Sequence, residues 1–200
     1  MKKLLFGTVV LILFSGINLL AQDVQARLDA AKSAYQSGDL EGARFELQEA
    51  LNEINQVIGK EILLLLPAEM SGMTVVEEGD NVTGTSAGFA GLYVNREYSD
   101  TNKNASVVII SDSPMLAGIS TMLAMPAFIG SDENHKRVKV SNYKALMTKN
   151  TDDQGIASYD IQVPVSNLLL TFSCTGIQDE EDVITMANTI PVDQIVKLSQ

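Results

Sequence analysis

The sequence predicts an α+β fold: an N-terminal helical hairpin, then an antiparallel sheet with two or three packed helices. Three observations carry this reading. Residues 24–58 repeat apolar positions at helical spacing, whereas the chain from Thr74 onward alternates and turns. Most connections after Thr74 are also too short for the crossovers that parallel strands need, and Ser141-Asn142 is an example.

Taken in order, the chain opens on a segment with the three parts of a secretory signal peptide, Met1 to Ala21. Lys2 and Lys3 form the charged head, Leu4 to Phe14 the apolar run, and Ala21 the small residue at the cut, which leaves Gln22 or Asp23 first. An uncleaved anchor is the rival, since Leu4 to Ala21 approaches the roughly 18 to 20 apolar residues that span a bilayer. Gly16 and Asn18 argue for cleavage, because they suit an extended, peptidase-accessible end. A lipid anchor would need a cysteine just after the signal, and the only cysteine is Cys174. The expectation is a periplasmic or secreted soluble protein, not stably inserted in a membrane once cleaved.

The helical hairpin is expected over 22–66. Val24, Leu28, Ala31 and Tyr35 share one face of its first helix, and Leu40, Ala43, Leu47, Ala50, Leu51, Ile54 and Val57 line the second. Between them, Gly38 suits a left-handed helix stop and Asp39 an N-cap. Lys60 to Leu66 extends the apolar character and stops at Pro67.

An α+β domain follows over 67–200. Strands are expected at Thr74 to Glu78, Ala90 to Tyr98, Ala105 to Ser111, Arg137 to Val140, Tyr143 to Lys149, Ser158 to Val163 and Leu168 to Thr175. Helices are expected at Met115 to Met125, after Asp112-Ser113-Pro114, and at Glu180 to Thr189, after Asp179, with a short third one at Val192 to Leu198.

The inventory for chemistry is thin. His135, the only histidine, sits in a polar stretch and reads as a solvated loop residue. Cys174 lies in an apolar run and reads as a small core residue with no partner for an internal disulfide. No Gly-x-Ser-x-Gly elbow is present. Gly84, Gly88 and Gly91 lack the Lys-Ser/Thr ending of a phosphate loop and precede a strand. Asp179-Glu180-Glu181-Asp182 suits a helix start better than a calcium loop, and Asp152-Asp153-Gln154-Gly155 reads as a turn. Hence no catalytic, cofactor-binding or metal-ligating residue is assigned, and no cofactor is expected.

Met115 to Ile129 is the most unusual stretch, with three methionines and no charge. It is too short to span a bilayer. Its lack of a polar face predicts burial between sheet and hairpin. The alternative is an adaptable apolar surface for a partner or ligand, formed by Met115, Met122, Met125 and Phe128.

Ala31, Ala34, Tyr35, Gly38, Asp39, Leu40, Ala43, Leu47 and Ala50 make the hairpin resemble one tetratricopeptide unit, without the terminal proline or a second copy. A lone unit of that kind must pack on something else, either its own domain or a partner. The whole chain resembles a group of uncharacterised exported bacterial proteins. The features shared are Leu66-Pro67, Ser71-Gly72-Met73-Thr74, Arg96-Glu97-Tyr98-Ser99 and Asp112-Ser113-Pro114-Met115-Leu116, which are structural punctuation and imply no activity. More distantly, its alternation of sheet and helix is similar to domains of the photosystem-assembly PsbP and Mog1 type, which implies an assembly or binding role.

With a formal charge of −11, deepened to −13 if Lys2 and Lys3 leave with the signal, the surface repels nucleic acid. The expectation is a non-enzymatic exported protein serving protein interaction or cell-envelope maintenance, with protein partners of the envelope. The alternatives are a small-ligand binder with a pocket beside the Met115 to Met125 helix, and a hydrolase whose site the sequence does not reveal.

Overall fold

The computed structural model describes residues 15–84, 91–125 and 134–200, with side chains from residue 23 onward. The apolar run of the expected signal therefore lies outside the described residues. Among them, no helix is long and apolar enough to cross a membrane.

The chain begins with α1, Ser15–Ser37, and α2, Leu40–Leu65, packed as a hairpin. Gly38 supplies the left-handed turn at φ 83°, and the Asp39 carboxylate accepts from the Gly42 amide at 2.8 Å to start α2. Ala31, Ala43 and Ala50 are buried along the seam, where small side chains let the two backbones approach.

Nine strands then form one antiparallel sheet. They are β1 (Glu69–Met70), β2 (Met73–Val75), β3 (Asn81–Thr83), β4 (Tyr93–Ser99), β5 (Asn104–Ser111), β6 (His135–Val140), β7 (Tyr143–Thr151), β8 (Ala157–Val165) and β9 (Leu168–Thr175). Their order is β1-β2-β4-β5-β9-β8-β7-β6, with β3 paired to β4 beside β2. Two meanders thus meet where β5 pairs with β9, Val107 opposite Phe172. Among the described residues, three further α-helices are α3 (Met115–Ala124), α4 (Glu180–Ala187) and α5 (Val192–Leu198).

The expected α+β architecture is the observed one. β1 and β3 were not foreseen, because segments of two and three residues cannot display an alternation. Ser71-Gly72 joins β1 to β2 with both residues left-handed, at φ 51° and 84°, a two-residue hairpin turn of the favoured hand. Of the expected strand from Ala90, the structure shows Tyr93–Ser99, and Ala90 itself lies outside the described residues.

Alternation divides the sheet into two faces. Val94, Val107, Ile109, Ala145, Met147, Tyr159, Ile161, Val163, Leu170 and Phe172 point to the main core, which α4, α5 and the last turns of α2 close with Val183, Met186, Ile195, Ile62 and Leu66. Leu146 and Leu169 point the other way and meet Ile119 and Leu123 of α3.

β4 fastens the end of α2. On its core-side row, Arg96 donates from Nη1 to the Leu63 carbonyl at 2.7 Å and from Nε to Asp80 at 2.9 Å, while the Tyr98 hydroxyl donates to the Pro67 carbonyl at 2.9 Å. A cation at a helix C-terminus satisfies carbonyls that the helix cannot, and favours the helix dipole. Burial pushes the Tyr98 hydroxyl pKa up to about 12, so it remains a donor at neutral pH.

Candidate functional site

The apolar surface expected on α3 is only partly assembled. Met115 and Met125 are exposed, Met122 is half-buried against the small core, and Phe128 lies outside the described residues. The expected burial of this helix between sheet and hairpin is corrected by the structure: α3 packs on β7, β8 and β9, on the face away from α2. Its outward residues are Ala117, Gly118, Ser120, Thr121 and Ala124. They carry no charge yet offer little apolar area, and Thr121 donates its hydroxyl to the Ala117 carbonyl at 2.8 Å. Lack of charge in a helix is thus not lack of an exposed face. Just before this helix, the Ser113 hydroxyl accepts from the Met115 amide at 3.3 Å.

His135 also differs from expectation, since it opens strand β6 and is half-buried. Cys174 is in the core, 3% exposed, and burial pushes its thiol up to about 12, too high for a thiolate at physiological pH. The two residues lie on opposite faces: Cys174 joins the main core, whereas His135 falls on the row of Thr148, Asp160 and Ser173. The Ser173 hydroxyl donates to Asp160. Asp152 accepts from the Gln154 and Ile156 amides, and Asp179 accepts from Glu181, so the first makes a turn and the second caps α4. Among the described residues, no three His, Cys, Asp or Glu side chains gather as metal donors.

The surface that stands out is on the hairpin. Leu28, Tyr35, Leu40, Leu47, Leu51 and Ile54 are all exposed, between 40% and 68%. At 100° per residue, Leu28 and Tyr35 fall on one side of α1, and Leu40, Leu47, Leu51 and Ile54 on one side of α2. The Arg27 ion pairs show that these are the same side of the hairpin. Arg27 reaches across to Glu46 at 3.0 Å and Glu53 at 3.3 Å, so those charges share the reverse side of the alanine seam. The leucines lie on the obverse, which is also the side by which Gly59, Ile62 and Leu66 enter the core. One apolar stripe of α2 is therefore buried where the sheet reaches it and bare where it does not. Sequence periodicity places these residues on the apolar faces of a hairpin that must pack on its own domain or on a partner. The two antiparallel helices have one seam between them, and alanines fill it, which leaves the larger apolar residues beside it.

A crevice opens where the bare part of α2 meets the end of the sheet. It measures about 360 Å³ and is lined by Leu51, Asn55, Ile58, Gly91, Leu92, Ser111, Asp112, Asn167 and Ser199. Asn55 donates to the Gly91 carbonyl at 3.0 Å, and Ser111 accepts from the Leu92 amide at 2.8 Å. A Cβ at Gly91 would sit 2.7 Å from the Ser111 hydroxyl, so glycine is needed for this approach. Asp112 has left-handed backbone at φ 53°, and its backbone N–H donates a hydrogen bond to the Asn167 carbonyl at 2.7 Å.

No family model matches the chain, and no curated protein sequence does. Among solved structures it has a distant likeness to the extracellular domain of PknH from Mycobacterium tuberculosis, with a TM-score of 0.34 and 10% sequence identity over 56% of this chain and 68% of that one. A likeness that remote assigns neither a family nor an activity.

Proposed function

We propose that this is an exported, non-enzymatic protein that acts by protein interaction in the periplasm or outside the cell, in a role such as envelope maintenance, and that the bare face of its hairpin is the contact surface. The observation that supports it most is the row Leu40, Leu47, Leu51 and Ile54, which continues a stripe used for core packing and is 40% to 65% exposed. Contiguous exposed apolar side chains of this size mark interaction sites on soluble proteins.

A photoreactive amino acid at Gln48, beside the stripe, tests the reading in the native host. It should give a discrete crosslinked species, while the same probe at exposed Lys144 on β7 should not. Equal labelling from both positions would count against the hairpin as contact surface. Deleting the hairpin is a poor control, since Ile62 and Leu66 belong to the core; Leu47→Glu with Leu51→Glu leaves both in place.

A second reading, small-ligand binding, draws on the crevice rather than on α3. Asn55, Asp112 and Asn167 gather over Leu51 and Ile58, and pockets of roughly 300 Å³ or more suit small molecules. Thermal-shift screening of wild type against Asn55→Ala tests it: a compound that stabilises both equally does not bind there.

A further inference from the structure

We infer that the bare face of the hairpin is covered by a second copy of this chain, packed hairpin to hairpin in a symmetric dimer. This rests on the interaction reading above and names the partner. Three features of the face argue for it.

The first is shape. A single helix–turn–helix unit of a stacking repeat leaves its stacking side open, and what fits that side is another such unit. Among the described residues there is one such hairpin, α1 with α2, and a second copy of it can supply the next. Leu40, Leu47 and Ile54 recur at seven-residue steps, as do Arg44, Leu51 and Ile58. That spacing lets antiparallel helices pair along a straight seam, as in a four-helix bundle.

The second is area. The six exposed side chains offer roughly 600 Å² of apolar surface per copy, near the ~800 Å² per partner of a standard interface once the flanking stems are added.

Charge is the third. The chain carries −11 overall, which opposes self-association. The flanks of this face escape that excess. By helical spacing, α1 sets Asp29 and Lys32 beside the stripe and α2 sets Glu41 and Arg44, with Gln25, Gln36 and Gln48 among them, so the rim sums to zero. Glu46, Glu49 and Glu53 are on the reverse, gathered around Arg27. In a two-fold interface each patch meets itself, so a rim with one acid and one base on each helix is self-complementary.

Sedimentation velocity on the chain as the host processes it, over a concentration series, provides the test. Wild type should be a dimer with a Kd on the order of micromolar. Leu47→Glu with Leu51→Glu should be monomeric throughout, with the thermal midpoint of wild type diluted below its Kd, and Glu49→Lys on the reverse should leave the dimer intact. A wild type that stays monomeric to about 100 μM, a dimer that survives the double leucine change, or one that Glu49→Lys dissociates equally well would overturn the proposal. A monomer whose Gln48 probe still captures one defined protein would remove the second copy and leave the interaction reading standing. No capture and no self-association would end both.

Discussion

The two halves of α2 have the same kind of sequence and opposite surroundings. Over Ile58–Leu65 the stripe faces β3 and β4, with Gly59 against Val82 and Leu92 and with Ile62 fully buried. Over Leu40–Ile54 the stripe carries side chains just as large, and they are 40% to 65% exposed. Hydrophobic periodicity reports that a helix has a face to bury; it does not report whether the chain supplies the cover. That difference separates folding from binding in this molecule, and each half can be broken separately.

The largest effect is expected in the seated half. Ile62→Ala should lower stability by about 4 kcal/mol, since it removes a fully buried side chain from the junction of α2, β4 and α5 and leaves a cavity. Urea unfolding measures it, and a loss below about 1 kcal/mol would mean that α2 is not seated as described. Arg96→Ala should cost about 3 kcal/mol, because it strips the cation from Asp80 and from the Leu63 carbonyl in a partly buried site.

Sequence reasoning reached the architecture and stopped at the site for identifiable reasons. Gly38 and Asp39 announced the hairpin turn, and the two-residue connection at Ser141-Asn142 announced antiparallel pairing, because backbone conformation there depends on local chemistry. Arg96 and Tyr98 were recognised as a recurring strand, but their task of holding the end of α2 depends on residues some 30 positions upstream and leaves no local trace. The crevice gathers Asn55, Gly91, Ser111 and Asn167 from four separate segments, which no spacing rule connects. Met115 and Met125 stand out by composition, whereas Leu47 and Leu51 look ordinary, so the sequence offers the hairpin as a partner surface without singling out its leucines.

Raised pH should loosen the core and spare the projecting half. Cys174 and Tyr98 are both held neutral by burial, with pKa values pushed up to about 12 from ordinary values near 9 and 10. The unfolded chain ionises first, so stability is full below about pH 9 and is lost as pH climbs toward 12, by about 1–2 kcal/mol at pH 10. Cys174→Ala should flatten much of that slope in urea titrations at pH 8 and pH 10; an unchanged slope would place the thiol in water. Gly59→Ala should cost about 1 kcal/mol, since its Cβ would come within 2.3 Å of Val82 Cγ1, partly offset by better helix propensity.

The smallest expected effect is the most informative about the bare half. Leu47→Glu should change unfolding free energy by no more than about 0.5 kcal/mol, the range for surface substitutions away from special features. The side chain is 49% exposed, it lies away from the alanine seam, and glutamate is nearly as good a helix former as leucine. The same change should abolish whatever association the hairpin supports, because a carboxylate in the middle of an apolar contact loses its water. Stability and association would then respond independently to one substitution. If Leu47→Glu instead unfolds the protein at low concentration, where no dimer forms, the stripe is covered within its own chain, and the contrast between the two halves of α2 disappears.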